Sequence, residues 1–546
     1  MRTKFIVTNV SRLKAKYGTK YSRVEKAIQQ LIDADAARAI TSTVWDVSST
    51  ARMKEAGGTK VTRSRDPQQN KDAIDAIFQH GQPDYLMILG SVDVIPHQDL
   101  ANPLLGIDDD LDEFAWGDLP YACEHPYSTD VKDFRATTRV VGRVPDLTGA
   151  KDPKHLVKVL GVAATWVPLA PKHYDDYFAL STESWQESTK LSIERIFGRN
   201  KNIHISPTAG PRWNNGELDP LPHFINCHGD TGRMMFWGEN ADATDQPESH
   251  RTTLVRNKIG RGTVAAVECC YGAELYKPGT STSDKEHGIC QEYLHGEAYA
   301  FFGSTTIAYG PANEMEAADI ICAAFLQHVR AGDSTGLAAL KARQDFVKEA
   351  KRLSAIEQKT LAQFNLLGDP SVHPVQAGSK ATKKTMAKPK GMLGMKSAVH
   401  VAEAQPALDD GHRTRRAQLA KRGPRIAAET AAVRAIGIVN SDEADRARAA
   451  VEEHGGNATR VVAYEMIPPA VLPKSKAKLK ALGMASTNEA VPAPPMRTYL
   501  VRAERPKTSV ENKGKTKPPR LNTYSVCVVE EQRNGTMKVV QELFAK

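Results

Sequence analysis

Short apolar runs alternate with amphipathic stretches along the first 375 residues of the chain. Strand-like runs include FIVTN near the start, DYLMILG at 84–90 and RVVGRVPDL at 139–147, and helical patterns cover about 24–40 and 186–197. Four further apolar runs follow in the second half: YFALSTE, HFINCHGD, GTVAAVECC and AYAFFGST. This alternation is typical of βα units that build a parallel sheet. It predicts an α/β fold in two lobes, residues 1–150 and 151–375, each with a mainly parallel sheet flanked by helices.

The rest of the chain has a different composition. Residues 376–430 are rich in Lys, Ala, Gly, Met and Pro with poor periodicity, which predicts a basic, disordered linker. Residues 431–546 contain a pattern of strand, helix and strand (AIGIVN, EADRARAAVEEH, ATRVVAYE) and then three strand-like runs (RTYLVRAE, NTYSVCVVEE, MKVVQELF). They predict a small α+β domain of unknown role, through which a regulatory partner could bind.

The net charge of +9 lies in one segment of the sequence. Between Gln376 and Arg425, twelve Lys and Arg residues stand against three acidic ones, so the remainder of the chain is neutral overall. The globular parts therefore carry no overall basic bias, and the positive charge belongs to this one segment. This distribution argues against nucleic acid as the partner.

Neither a membrane span nor a secretory signal is recognisable. No apolar run has the length needed to cross a bilayer, and the N-terminal apolar stretch is short and has no small-residue cleavage site. The seven cysteines form an odd, scattered set without paired metal-binding spacing. Reduced thiols and a cytoplasmic location are the prediction.

Two of the apolar runs end in a chemically reactive residue. HFINC leads into His228 and Gly229, and TVAAVE leads into Cys269 and Cys270. The carboxyl ends of parallel strands share one edge of a sheet, where open α/β folds place their ligands. An imidazole beside a thiol lowers the thiol pKa and later protonates a leaving amine. The pattern predicts a Cys-His dyad, although two buried strand cysteines and a loop histidine are the ordinary alternative.

The order of several motifs resembles the gingipain family, cysteine peptidases of the caspase, legumain and clostripain clan. The motifs that carry the resemblance are PDYLMILGSVDVIP, GDLPYA, RVVGRVPDLTGA, NCHGD, VECCYG, GSTTIAYGP and FNLLGDPSVHP. The resemblance covers most of the residues from 4 to 375. It implies two caspase-like lobes and an endopeptidase that hydrolyses peptide bonds of protein substrates.

The same resemblance assigns the dyad and its supports. His228 would act as general base and acid, Cys269 as nucleophile, and Glu183 would orient the histidine. The backbone amides of Gly229 and Cys269 would donate to the oxyanion. The family's Cys-x-x-Gly spacing before Gly272 selects Cys269, whereas the Cys-x-Gly spacing of caspases would select the next residue.

Substrate contacts are implied less directly. Ser304 and Tyr309 fall where the family lines its primary specificity pocket. Arginine-specific members carry an Asp where this chain has Ser188 or Thr189, and Glu187 is the nearest carboxylate that could receive a basic side chain. Cleavage after Arg or Lys is therefore a hypothesis, and so is cleavage of the chain's own segment 376–425.

No cofactor is predicted. The acidic run from Asp108 to Glu113 offers hard oxygen ligands for Ca²⁺, but it lacks EF-hand spacing, so a solvated loop is the favoured interpretation. The alternative function is a catalytically silent caspase-like scaffold. Such a protein would bind a protein or nucleic-acid partner through its basic linker and C-terminal domain.

Overall fold

A computed structural model describes most of the chain. The described residues are 2–107, 110–350, 352–376, 410–436, 439–467, 469, 497–504, 524–532 and 535–546, with side chains of the helix at 410 described from 417 onward. Asp108, Asp109 and most of the basic segment thus lie outside the described residues. Within these ranges, no helix combines the length and apolar character needed to cross a bilayer.

The first half of the chain contributes four parallel strands separated by helices. Asp66 caps one helix through the amide of Gln69, and Pro67 occupies its first turn, where a missing N–H costs nothing. The predicted helix 24–40 ends earlier, because Ala39 adopts a left-handed φ of 58° that turns the chain into the next strand. The elements are β1 (Arg2–Thr8), α1 (Val10–Tyr17), α2 (Tyr21–Ala37), β2 (Ile40–Asp46), α3 (Thr50–Glu55), α4 (Pro67–Gly81), β3 (Tyr85–Leu89), β4 (Gln98–Ala101), β5 (Phe114–Gly117), β6 (Val141–Val144) and α5 (Lys154–Thr165).

The second half places its strands at the predicted apolar runs. Its longer strands are buried along their whole length, as expected for a parallel sheet covered on both faces. The elements are β7 (Phe178–Thr182), α6 (Gln186–Phe197), β8 (Ile203–Ser206), β9 (Pro222–Asn226), β10 (Met235–Trp237), β11 (Glu248–Arg251), α7 (Thr252–Val255), β12 (Val264–Val267), α8 (Ile289–His295), β13 (Ala300–Ser304), β14 (Tyr309–Gly310), α9 (Ala318–Arg330), α10 (Thr335–Glu349), β15 (Arg352–Leu353), α11 (Ala355–Gln363) and β16 (Phe364–Leu367).

Both halves share one ten-stranded sheet in the order β2-β1-β3-β6-β16-β13-β12-β9-β7-β8. All neighbours are parallel except β13 and β16. The halves join where β6 pairs β16, through the single register pair of Arg143 and Leu367. The predicted α/β class, with mainly parallel strands flanked by helices, is confirmed, but the strands of both halves form one large sheet where two lobes were expected.

Two apolar cores cover the opposite faces of this sheet. Ile225 and Val267 belong to one core, whereas their neighbours Phe224 and Ala266 belong to the other. Successive strand residues point to opposite faces, so this alternation identifies the face on which each side chain lies. Helices α2, α5 and α8 contribute to the first core, and α6, α9 and α10 to the second.

A buried ionic cluster stabilises the junction between the halves. The Arg143 guanidinium donates two hydrogen bonds to the Asp118 carboxylate, at 2.6 and 2.8 Å, and His97 lies 3.0 Å from the same group. The Asp118 amide donates to the Asn365 side chain on β16, at 2.7 Å. Burial opposes ionisation of Asp118, but Arg143 and His97 hold its pKa below the ordinary value.

We expect Asp118→Asn to lower the free energy of unfolding by about 3–5 kcal/mol, because it leaves the Arg143 cation buried without a counter-charge. Denaturant unfolding followed by circular dichroism measures the change. The control is Asp152→Asn, which removes an exposed partner of Lys20 and should leave the unfolding midpoint unchanged. Equal midpoints for the two variants would contradict this assignment.

The C-terminal residues build five antiparallel strands between two short strands of the first 375 residues, and the pairing with one of these, β15, is parallel. The new elements are α12 (Asp410–Glu429), β17 (Ala431–Ala435), α13 (Ser441–Glu453), β18 (Asn457–Ile467), β19 (Arg497–Glu504), β20 (Tyr524–Glu531) and β21 (Met537–Ala545). The sheet order is β14-β21-β20-β19-β18-β17-β15. Its two outer strands, β14 and β15, belong to the second half, so the predicted small α+β domain shares a sheet with the rest of the chain.

The C-terminal end of the predicted disordered linker is helical in the structure. Residues 410–429 form α12, and the Gln344 amide donates to the Leu419 carbonyl at 3.3 Å. Arg422 pairs with Asp345, and a Cβ added at Gly423 would lie 2.1 Å from the Thr137 carbonyl oxygen. This helix is stabilised by contacts with residues that are distant in the sequence, which local composition cannot predict. The strand predicted at AIGIVN lies earlier, at β17.

Candidate functional site

The His-Gly and Cys-Cys motifs follow two neighbouring strands. β9 and β12 are parallel, with Ile225 opposite Val267, and the Glu268 amide donates to the Ile225 carbonyl at 2.9 Å. His228 follows β9 by two residues, and Cys269 follows β12 by two. Both motifs therefore lie at the same edge of the sheet, as the sequence predicted.

His228 is held by a carboxylate and an indole. Its Nε2 lies 3.1 Å from Oε2 of Glu239, and its ring centroid is 4.3 Å from that of Trp185. The backbones of His228 and Trp237 exchange two hydrogen bonds of 2.9 Å, which fix the chain on both sides of the ring. The His228 side chain is 8% exposed, so the imidazole is nearly closed to solvent.

The carboxylate beside His228 is ionised. Burial would raise the pKa of Glu239, but the His228 imidazole and a hydrogen bond from Gln246 at 2.9 Å help lower it to about 2. A carboxylate in this position fixes the ring orientation and stabilises an imidazolium. Nothing in the sequence marked Glu239, because a turn and β10 separate it from His228.

Glu183 lies near this pair without contacting the imidazole. Its carboxylate accepts the Ala241 amide at 3.2 Å, and its own amide donates to the Glu239 carbonyl at 2.8 Å. The predicted orienting contact with His228 is made by Glu239 instead, because the segment after β10 lies between Glu183 and the ring. Glu183 therefore binds the backbone of Glu239, and the Glu239 side chain contacts His228.

The two cysteines lie on opposite faces of the sheet. Cys269 packs in the first core, which also contains Cys227 and Tyr293, whereas Cys270 packs in the second core, which also contains Ala308. The Sγ of Cys270 accepts the Ala308 amide at 3.3 Å. The Sγ of Cys269 lies 4.0 Å from the Ile225 carbonyl oxygen.

Neither thiol is activated in this conformation. Burial raises the pKa of both Cys269 and Cys270 above the ordinary thiol value. Among the described residues, neither sulfur is hydrogen-bonded to His228. A thiolate would therefore require solvent or substrate to rearrange the site.

Gly229 brings its backbone against Cys270. A Cβ added at Gly229 would lie 1.8 Å from the Cys270 carbonyl oxygen and 3.3 Å from its nitrogen. Every other residue would force these segments apart. The glycine of the His-Gly motif thus permits two backbone segments to meet where an oxyanion site would form.

The site is occupied by a strand of the same chain. β21 pairs antiparallel with β14, with Tyr309 opposite Ala545 and Gly310 opposite Phe544. The Lys546 amide donates to the Ala308 carbonyl at 2.9 Å, and the main-chain oxygen of Lys546 accepts the Cys270 amide at 2.5 Å. We call residues 537–546 the docked strand.

The Lys546 side chain enters an acidic pocket. Its Nζ lies 2.6 Å from Glu268 and 2.7 Å from Asp319, and all three side chains are fully buried. The ammonium also lies 5.9 Å from the Trp185 ring centroid. Burial would lower the pKa of Lys546, but the two carboxylates raise it, so the lysine is charged. Sequence reasoning gave neither carboxylate a role, although Glu268 stands in the VECC motif.

The other predicted substrate residues lie in different places. Glu187 is exposed and pairs with Lys190 at 2.6 Å. Ser304 is buried and its hydroxyl donates to the Thr306 carbonyl at 2.9 Å, within its own loop. Tyr309 lies on β14 and pairs its backbone with the docked strand, while its hydroxyl donates to Asp110 at 3.1 Å.

The described carboxylates of the acidic run bind protein groups. Asp110 pairs with the buried Lys359, and Asp112 accepts the Tyr271 hydroxyl at 2.9 Å and the Ile307 amide at 3.1 Å. Within the part of the chain that the structure describes, no group of three His, Cys, Asp or Glu side chains could hold a metal ion.

Comparison with known proteins gives distant structural likenesses only. No family model and no curated protein sequence matches the chain. A solved chain described as "Structure of Protease" aligns with a TM-score of 0.43 at 13% sequence identity. The alignment covers 68% of this chain and 78% of that chain.

Proposed function

We propose that this chain is a gingipain-like cysteine endopeptidase with caspase-like lobes. One observation supports it above the others: an extended strand is bound beside a buried His-carboxylate pair, with the main-chain oxygen of Lys546 on a cysteine amide. Peptidases bind their substrates in this extended form, and the carbonyl that is attacked must accept backbone donors. The order of sequence motifs supports the same proposal.

The chemistry assigns one role to each group. His228 takes the proton of the thiol, the sulfur attacks the substrate carbonyl carbon, and the amides of Gly229 and a cysteine hold the resulting oxyanion. The imidazolium then protonates the leaving amine as the carbon–nitrogen bond breaks. Water, deprotonated by His228, hydrolyses the thioester and restores the thiol. Glu239 orients the ring and stabilises its charged form.

The geometry favours Cys270 as the nucleophile over the Cys269 that motif spacing selects. Phe224 of β9 lies on the second face, and His228, two residues beyond the end of β9, falls on that face if the alternation continues. Cys270 is on the second face and Cys269 is on the first. The amide that donates to the main-chain oxygen of Lys546 also belongs to Cys270.

Cleavage after Lys or Arg is part of the proposal. A pocket that buries Glu268 and Asp319 together needs a cation, because two close carboxylates repel each other. Glu187, the partner that the sequence offered, is exposed and paired with Lys190.

The test is digestion of a diverse peptide library by the purified protein, beside His228→Ala. We expect cleavage products that end in Lys or Arg, and a loss of roughly 10³-fold or more in the variant. A wild-type protein that neither cleaves the library nor reacts with thiol-directed peptide probes would overturn the proposal and favour the silent scaffold.

Self-processing between 376 and 425 also belongs to the proposal. Arg413, Arg415, Arg416, Lys421 and Arg422 are all in α12, so cleavage there would require the helix to open. Residues 377–409 lie outside the described residues. N-terminal sequencing of fragments from wild type, beside a variant with both cysteines replaced by Ala, tests it. Identical clipping in both proteins would contradict it.

A further inference from the structure

The amide, the main-chain oxygen and the ammonium of Lys546 each make a contact that the same group of a bound substrate residue would make. The Lys546 amide donates to the Ala308 carbonyl, the main-chain oxygen accepts the Cys270 amide, and the ammonium contacts Glu268 and Asp319. Fully buried lysines are rare and require compensating partners. Lys546 therefore occupies a specific binding site, made by two carboxylates and two backbone groups, and does not make a chance surface contact.

The rest of the docked strand extends this arrangement. Pairing of Phe544 and Ala545 with β14 aligns residues 544–546 along the site, and Phe544 also pairs with Ser525 of β20 on the other edge. A second peptide chain cannot form the β14 pairs while the docked strand holds them. The oxyanion position and the acidic pocket are filled at the same time.

We infer that the docked strand is an intramolecular competitive inhibitor of the site, with Lys546 as the residue that the acidic pocket recognises. This inference rests on the proposed function. The described conformation is the closed state. A peptide substrate with a basic residue must displace residues 544–546 before it can reach the thiol.

The first experiment compares labelling rates of full-length proteins by a lysyl acyloxymethyl ketone peptide, a thiol-directed probe. Lys546→Met retains the length of the side chain and loses the charge that holds the strand, so we expect labelling about tenfold or more faster than in wild type. Lys538→Met is the matched control, because Lys538 lies exposed on the same strand and should leave the rate unchanged.

The second experiment measures binding without catalysis. A fluorescent peptide of residues 538–546, KVVQELFAK, is titrated into Lys546→Met and followed by anisotropy, beside a peptide in which Met replaces the final Lys. We expect the lysine peptide to bind about tenfold or more tightly. If Lys546→Met fails to fold, Lys546→Gln, which keeps a hydrogen-bond donor, replaces it in both experiments.

The outcomes separate this inference from the proposed function. Equal labelling of wild type and Lys546→Met, together with equal binding of the two peptides, would overturn the inference while the reactive thiol stays established. If the lysine peptide binds selectively but no variant is labelled, the proposed peptidase function is overturned. Recognition of Lys546 by the acidic pocket would then still stand. Faster labelling of Lys538→Met to the same extent would show general loosening and would also overturn the inference.

Discussion

Cys270→Ala is expected to abolish peptide cleavage, with a loss of roughly 10⁴-fold or more in kcat, because it removes the attacking sulfur. Cys269→Ala should retain turnover, since its thiol packs in the core on the opposite face of the sheet. Steady-state cleavage of a lysyl peptide, with both variants measured at equal folded concentration, gives the comparison.

The two variants are matched because they differ by one position and remove the same atom. Loss of activity in Cys269→Ala with retention in Cys270→Ala would restore the Cys-x-x-Gly register and show that the site rearranges before attack. Thermal unfolding distinguishes a chemical effect from a structural one, because removal of a buried thiol also creates a cavity.

Glu268→Gln is expected to reduce the preference for Lys over Met before the cleaved bond by about 10–100-fold. A hydrogen bond to a charged group contributes about 1.5–3 kcal/mol, and this variant leaves the ammonium with one carboxylate partner. The ratio of kcat/KM values for two peptides that differ only at that residue measures it. The Lys546→Met background removes competition from the docked strand.

Glu187→Gln is the matched control for specificity. It replaces an exposed carboxylate that pairs with Lys190, so the Lys-to-Met ratio should stay unchanged. A change in Glu187→Gln without one in Glu268→Gln would contradict the assignment of the pocket and support the sequence-based hypothesis.

The sheet and the position of the site were predictable because they depend on local patterns. Continuous apolar runs located β9 and β12, and the geometry of parallel strands brought His228 and the cysteine pair to one edge. Alternation along a strand puts the two adjacent cysteines on opposite faces. The sequence does not tell which of them shares the face of His228, because it does not mark where the strands end.

The groups that hold the site were not predictable, because they come from distant parts of the chain. Glu239 reaches His228 through a turn and β10, and Asp319 comes from α9. Lys546 is 276 residues away from Cys270 in the sequence yet meets its amide. Such pairs depend on tertiary packing and not on any local pattern.

The shared seven-stranded sheet determines what a cut between residues 377 and 409 would release. β17 and β21 pair with β15 and β14, which precede the cut, so both fragments would remain joined by backbone hydrogen bonds. A nicked protein should therefore migrate as one species in gel filtration and as two bands only after denaturation. A cut in this segment would therefore break the covalent chain and leave the two fragments associated as one folded protein.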